Sequence, residues 1–353
     1  MATLHASKLF PSSSSSSGGL APFTSITHTP HGTFFLTTSP DGTLHLYDSL
    51  RGRHAKAIYS KKYGCSNATF TLSSAAHTIP ASCVIASTIS TTANAVNNNA
   101  LRLLDLNTNS FTRYFNGHSD QVLSTAASPS TAFGLDAFYT SAADGTIRAW
   151  DARSDKCYAA ATGMGSMPIL ALDTSGTLMA VWNNDTKTLH ILAVESFPTG
   201  IVKSIIVNNV VGTVERVMWA YNGLVVLDVP GENKIVIDTI RADTSAVTSA
   251  ISTLNGVVPF LVEGEDVWRS GSAGITPDGK WCIAGSGDGA LLAWDLTSNE
   301  KENEHGSGNV PVRIYDASLV EKNIVPRIVS VNPRLGSVVT GDTEIVISVY
   351  SSD

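Results

Sequence analysis

The octapeptide Asp144-Gly145-Thr146-Ile147-Arg148-Ala149-Trp150-Asp151 has two close copies in the chain, at residues 41–48 (DGTLHLYD) and 288–295 (DGALLAWD). Each copy begins with Asp-Gly, which supplies the positive φ that a two-residue hairpin requires. The residues that follow alternate as in a β-strand and end in an aromatic residue followed by Asp. The three copies therefore predict the same unit, a tight turn that leads into a strand.

Weaker copies of this unit occupy the intervals between the three. Taken together, the strands end near residues 48, 105, 151, 192, 238, 295 and 351. Their spacing lies around and above the roughly 40–45 residues of a propeller blade. Turn signals at Gly32, Gly176, Gly223 and Gly279 precede four of the endings at a near-constant offset. The two markers together predict an all-β fold, a single seven-bladed β-propeller that spans residues 1–353.

The chain ends with the third strand of its last unit, and no segment remains there to supply a fourth. Residues 4–10 precede the first complete unit, and we expect them to fill that position. This pairing would close the ring and remove an exposed sheet edge. Residues 11–19, which are rich in Ser and Gly, are then predicted to form a flexible loop.

The composition of the chain argues against two classes of function, nucleic-acid binding and membrane spanning. Hydrophobic residues make up 43% of the 353 residues, charged residues only 15%, and the formal net charge is −7. This balance argues against direct, sequence-independent binding of nucleic acid, which needs a cationic surface. The sequence contains no apolar run of the roughly 18 residues needed for a membrane span. It also predicts no metal site and no cofactor.

The aromatic-Asp endings, together with Asn116-Gly117-His118, resemble WD-repeat proteins. In that family a His, a Ser or Thr, an Asp and a Trp of one blade form a hydrogen-bonded set. The resemblance implies that His118, Ser141 or Thr140, Asp144 and Trp150 form this set in the third blade. The sixth blade has Ser286, Asp288 and Trp294 but no Gly-His. We expect all these residues to be structural.

A narrower resemblance is carried by IYSKKYG at residues 58–64, RYFNGH at 113–118 and FPTG at 197–200. These stretches are similar to the WD-repeat subunits shared by the COMPASS histone methyltransferase and by the cleavage and polyadenylation factor with its phosphatase. The resemblance implies a non-catalytic nuclear scaffold. Its partners would be the N-terminal region of a histone methyltransferase, or a phosphatase-targeting subunit that acts in mRNA 3′-end processing and transcription termination.

Two segments are candidates for partner binding. Tyr59, Lys61, Lys62 and Tyr63 lie between the first two blades, where cations flanked by aromatic rings suit an acidic or aromatic peptide. The alternative is that the tyrosines pack on the neighbouring blade while the lysines extend into solvent. Trp268-Arg269 is predicted to enter the first strand of the sixth blade, as an interface residue pair or as core.

Catalysis is the weaker hypothesis, because the sequence has no GxSxG, P-loop or HExxH motif. Two alternatives to the shared nuclear scaffold stay open. One is a WD-repeat adaptor of another complex, such as a ubiquitin-ligase substrate receptor. The other is a propeller hydrolase.

Overall fold

The computed structural model describes most of the chain, and the following account concerns that part only. The described residues are 3–11, 23–39, 41–60, 63–71, 82–86, 99–129, 136–208, 210–229, 233–242, 251–258, 260–261, 268–269, 272–297, 311–314, 325–342 and 344–351. Of the predicted loop at residues 11–19, only Pro11 belongs to them, and it lies in a strand.

Within the described residues, thirty strands form seven four-stranded antiparallel sheets and one two-stranded sheet. Apart from these strands, the described residues contain two short 3-10 turns, Val194–Ser196 and Tyr221–Gly223. The fold is an all-β, seven-bladed β-propeller, as the repeat predicted. The chain divides into two compact units, one of residues Ser13–Ile206 and one of Met1–Ser12 with Val207–Asp353.

The unit Ser13–Ile206 contains blades 1 to 4, and the four strands of each blade follow one another in chain order. Blade 1 comprises β2 (Ser25–His28), β3 (Phe34–Thr38), β4 (Thr43–Asp48) and β5 (Arg53–Tyr59); blade 2, β6 (Ala68–Phe70), β7 (Ser82–Ile85), β8 (Leu101–Asp105) and β9 (Ser110–Phe115); blade 3, β10 (Val122–Ala127), β11 (Ala137–Ala142), β12 (Ile147–Asp151) and β13 (Cys157–Ala161); blade 4, β14 (Ile169–Leu172), β15 (Leu178–Asn183), β16 (Thr188–Ala193) and β17 (Ile201–Ile206).

The other unit contains blades 5 to 7 and a separate hairpin. Blade 5 comprises β18 (Arg216–Trp219), β19 (Leu224–Asp228), β20 (Lys234–Asp238) and β21 (Ile251–Leu254); the hairpin, β22 (Phe260–Leu261) and β23 (Trp268–Arg269); blade 6, β24 (Ala273–Ile275), β25 (Trp281–Gly285), β26 (Leu291–Asp295) and β27 (Val312–Ile314); blade 7, β28 (Ile328–Val331), β29 (Ser337–Gly341), β30 (Glu344–Ser351) and β1 (Thr3–Pro11).

The Asp-Gly turns differ in length from the two-residue hairpin that the sequence predicted. In blade 3 the amide of Ala142 donates to the carbonyl of Thr146 (3.2 Å), and Gly145 N–H donates to Ala142 (3.1 Å), so three residues form the loop. Gly145 has a φ of +75°, which glycine adopts without strain. The loop is therefore a β-turn that ends in a left-handed glycine. The Asp144 carboxylate accepts the amide of Thr146 and so holds the turn closed.

Outer strands of the unit Ser13–Ile206 share a β-bulge at one register position. In each of its four blades one residue of the outer strand has no partner opposite: Ala55, Thr112, Tyr158 and Val202. A bulge twists an edge strand and hinders pairing with another chain. The repeated bulge therefore protects four exposed sheet edges from aggregation.

The hydrophobic core lies between neighbouring blades of each unit. One cluster joins blades 1 and 2, another blades 2 and 3, and a third blades 3 and 4. In the other unit, comparable clusters join blades 5 and 6 and blades 6 and 7. Second and third strands supply most of these side chains, because both of their faces are covered by adjacent blades.

β1 is the outer strand of blade 7. It pairs antiparallel with β30, from Thr3 opposite Ser351 to Pro11 opposite Glu344. Blade 7 thus combines a strand from the beginning of the chain with three from its end. That this pairing closes the ring stays a prediction, which a deletion can test.

Deletion of residues 1–10 is expected to destabilise the whole protein. The deletion removes β1 and exposes the backbone groups of β30, a free edge that favours self-association. We expect the melting temperature to fall by more than about 5 °C and dimers or aggregates to appear in light scattering. Deletion of residues 1–2 alone is the control. An unchanged melting temperature and a monomeric state after the longer deletion would contradict the closure model.

Candidate partner-binding surface

A chain of hydrogen bonds connects four side chains of blade 3. Trp150 Nε1 donates to Thr140 Oγ1 (2.8 Å), and Thr140 Oγ1 lies 2.8 Å from His118 Nε2. His118 Nδ1 lies 3.1 Å from Asp144 Oδ2. A neutral imidazole satisfies every bond when the Thr140 hydroxyl donates to Nε2 and Nδ1–H donates to the carboxylate. Burial, which lowers the pKa of His118, favours this neutral form.

The hydroxyl in the network belongs to Thr140 and not to Ser141. Ser141 Oγ instead lies 2.7 Å from Ser124 Oγ, which also accepts the amide of Leu170 (3.0 Å). Successive residues of a strand point to opposite faces. Because Thr140 faces Trp150, its neighbour Ser141 faces blade 4, so Thr140 and not Ser141 belongs to the set.

Electrostatics of the network agree with a structural role. Burial lowers the pKa of His118 below its ordinary value of 6.5, although the hydrogen bond with Asp144 acts in the opposite direction. Burial raises the pKa of the Asp144 carboxyl, but hydrogen bonds from Thr146, Ser119 and His118 outweigh it and lower that pKa. A neutral imidazole and an ionised carboxylate are thus both held in place.

Blade 6 builds a different network. Trp294 is fully buried, but its Nε1 donates to the backbone carbonyl of Asn255 (3.0 Å) and not to Ser286. The position that corresponds to Thr140 is Ala284, which has no hydroxyl. Ser286 and Arg313 hydrogen bond the carboxylate of Asp288. Arg313 thus bonds the Asp of its blade, as His118 does in blade 3, but it does not connect that carboxylate to the indole.

The loop between blades 1 and 2 begins at the last residue of β5. Tyr59 is 58% exposed. Ser60 is fixed by its amide, which donates to Gly42 (2.7 Å), and by its hydroxyl, which donates to Gly64 (2.9 Å). Lys61 and Lys62 lie outside the described residues. Tyr59 is therefore an exposed ring next to a well-anchored turn.

Tyr63 packs on blade 2. The guanidinium carbon of Arg102 lies 3.6 Å from the centroid of the Tyr63 ring, a cation–π contact, and the Phe111 ring lies 5.9 Å away, edge to face. Arg102 is only 2% exposed, and burial lowers the pKa of its guanidinium. These contacts favour the packing alternative for Tyr63, whereas Tyr59 faces solvent.

Arg102 and Tyr114 were not expected at this surface. Arg102 is paired across β8 and β9 with Tyr114, whose ring is 43% exposed and lies 5.8 Å from the guanidinium. The sequence does contain a signal, since Arg102 stands three residues before the Asp that ends the third strand, as Arg148 does in blade 3. The contact between Arg102 and Tyr63 joins blade 2 to the loop that enters it, so it forms only in the tertiary structure.

The sequence predicted that Trp268 and Arg269 enter the first strand of blade 6, but they do not. They form β23, which pairs with Phe260 and Leu261 in a two-stranded sheet. The first strand of blade 6 is β24, which starts at Ala273. The side chains of Trp268 and Arg269 lie outside the described part of the chain, so their role in binding stays a prediction.

Comparison with protein families supports the repeat. The family model for the WD domain, G-beta repeat, matches residues 14–48 and 109–151, which include the endings of β4 and β12. The chain contains WD40 repeats.

The chain is similar to several named relatives, to two of them over nearly its whole length. COMPASS component SWD2 of Saccharomyces cerevisiae is 26% identical over 93% of this chain and 91% of its own length. Set1 complex component swd2 of Schizosaccharomyces pombe is 26% identical over 92% and 91%, respectively. WD repeat-containing protein 82 of Drosophila melanogaster is 30% identical over 48% of each chain. The similarity to the first two therefore extends over all seven blades.

The described residues contain no group of three or more His, Cys, Asp or Glu side chains arranged to hold a metal ion. None of their helices combines the length and the hydrophobicity needed to cross a membrane.

Substitution of Thr140 by Val tests the WD40 network. The change keeps the shape but leaves Trp150 Nε1 and His118 Nε2 without their partner, which should lower the free energy of unfolding by about 1–3 kcal/mol. Ser141→Ala is the matched control and should cost less, because Ser124 keeps its bond with Leu170. Chemical denaturation measures both. Equal losses would mean that Thr140 does not connect the network.

The pH dependence of stability tests the neutral state of His118. The pKa of His118 is lowered in the folded state, so the unfolded chain binds a proton more readily than the folded chain as pH falls below about 6.5. Acidification therefore favours the unfolded chain. The stability difference between wild type and His118→Gln should therefore be largest near pH 8 and shrink towards pH 5.5. A difference that grows on acidification would indicate a charged His118 paired with Asp144.

Proposed function

We propose that the chain is a non-catalytic scaffold subunit of a Set1-type histone methyltransferase complex in the nucleus. The observation that carries this proposal is the similarity, over more than nine-tenths of the chain, to two proteins named as components of COMPASS and of the Set1 complex. Sequence similarity along nearly the whole chain supports a shared mode of assembly.

The blades supply a rigid support for peptide binding. Apolar clusters join neighbouring blades within each unit, so the loops between blades extend from a rigidly packed core. Tyr59 projects from such a loop, and a rigid, exposed aromatic ring is a frequent interface anchor. We therefore assign partner contact to Tyr59, with Lys61 and Lys62 as cations beside it, and a supporting role to Tyr63.

The partner we propose is the N-terminal region of the methyltransferase. The same loop resembles that of subunits serving the polyadenylation machinery, so a phosphatase-targeting subunit is the second candidate. It would use the same scaffold in 3′-end processing and termination.

Affinity purification of the tagged full-length chain, followed by mass spectrometry, tests the proposal. We expect histone methyltransferase subunits to co-purify. Recovery of a phosphatase with cleavage factors would support the second candidate. A cullin would point to a ubiquitin-ligase receptor, and a lone protein with hydrolase activity would overturn the scaffold.

Variants of the loop locate the contact. Tyr59→Ala, and Lys61→Glu combined with Lys62→Glu, should reduce recovery of the partner without lowering the melting temperature. The effect of the lysine variant should depend on salt, because exposed charges are screened. Tyr63→Ala is the comparison and should lower the melting temperature, since it removes the ring that covers Arg102. Undiminished recovery with both Tyr59→Ala and the double lysine variant would place the interface elsewhere.

A further inference from the structure

Arg148 in blade 3 occupies the same register position as Arg102 in blade 2. Arg102 lies opposite Tyr114 of its outer strand, and Arg148 lies opposite Ala160 of its own. Each arginine stands three residues before the Asp that ends the third strand. Two neighbouring blades thus project a guanidinium from the same place.

The residue that the entering loop places against the arginine differs between the two blades. In blade 2 the entering loop places the Tyr63 ring over the guanidinium of Arg102 and buries it. In blade 3 the entering loop places Gly117 beside Arg148, and a Cβ there would lie 2.6 Å from Arg148 Nη1. The absence of a side chain at Gly117 therefore makes room for the guanidinium of Arg148, a residue that is only partly buried.

Asp144, a carboxylate of the same blade, forms no ion pair with Arg148. Asp144 Oδ2 accepts from His118 and from the Ser119 amide (2.9 Å), while Oδ1 accepts from the amide and hydroxyl of Thr146 (2.9 and 2.7 Å). All four positions of this carboxylate are thus filled. The bond that Arg148 makes is from Nε to Thr146 Oγ1 (3.4 Å).

That bond orients the guanidinium and leaves its other edge open. Within the described residues, Nη1 and Nη2 of Arg148 have no hydrogen-bond acceptor, and no carboxylate lies at ion-pair distance. A planar fork of N–H donors matches the geometry of a carboxylate, which can accept two parallel bonds. The site has the donor arrangement and the charge for an Asp or Glu side chain.

We propose that Arg148, uncovered by Gly117, binds a carboxylate of an acidic partner segment. The inference rests on the proposed scaffold function and names the chemistry of the segment that the scaffold holds. It places a charged contact at the entrance of blade 3, separate from the exposed Tyr59 ring at the loop between blades 1 and 2.

Selection of a phage-displayed random peptide library on the purified full-length protein tests this proposal. We expect wild-type protein to enrich peptides with Asp or Glu, and Arg148→Met to lose that enrichment. A selected peptide, measured by fluorescence anisotropy, should bind Arg148→Met about tenfold more weakly or worse, and Arg148→Lys at an intermediate level, because Lys keeps the charge but not the fork.

Arg153→Met is the matched control. Arg153 is an exposed arginine of the same blade that already pairs with Asp151 (2.9 Å), and its removal should leave peptide binding unchanged. The melting temperature of Arg148→Met should equal that of wild type, which shows that lost binding is not lost folding.

Three outcomes would overturn the inference: no acidic enrichment, enrichment that survives Arg148→Met, or an equal loss with Arg153→Met. A clear preference for phosphoserine over Glu in the selected peptide would replace the carboxylate by a phosphate ligand. These assays use the purified chain alone, so they can fail while methyltransferase subunits still co-purify. Conversely, a failed co-purification would contradict the proposed scaffold function but not the binding of acidic peptides by Arg148.

Discussion

Apolar packing between neighbouring blades is the interaction on which the rest of the structure depends. A four-stranded sheet alone leaves two apolar faces in water, and the clusters that join blades 1 to 4, and those that join blades 5 to 7, cover these faces. The buried indoles of Trp150 and Trp294 lie in such clusters. Their N–H groups then need acceptors within the core, because an unsatisfied buried donor costs stability.

That requirement explains the polar networks, and it has more than one solution. In blade 3 the acceptor is Thr140, which His118 and Asp144 hold in place. In blade 6 the residue at the Thr140 position is Ala284, so Trp294 uses the backbone of Asn255 instead. The indole is retained in both blades because its packing area matters to the core, whereas its hydrogen-bond partner can be replaced.

The same frame also decides which charges are available to a partner. Arg102 and Arg148 share one register position, yet a tyrosine ring covers the first and a glycine uncovers the second. A covered guanidinium contributes to packing, and an uncovered one is available as a donor. The proposed contacts are therefore two, the exposed Tyr59 ring and the guanidinium of Arg148, while the cation–π pair of Tyr63 and Arg102 contributes to packing.

The sequence alone determined the features that depend on local geometry. Asp-Gly turns and alternating strands place the endings of third strands at Asp48, Asp151 and Asp295, and their repetition predicts the blades. Only tertiary structure decided that Thr140 and not Ser141 bonds Trp150, because adjacent strand residues face opposite sides and the register chooses between them. It also decided that Trp268 pairs in a separate hairpin and that Tyr63 covers Arg102. These contacts join residues distant in sequence, and the packing of one blade on the next brings them together.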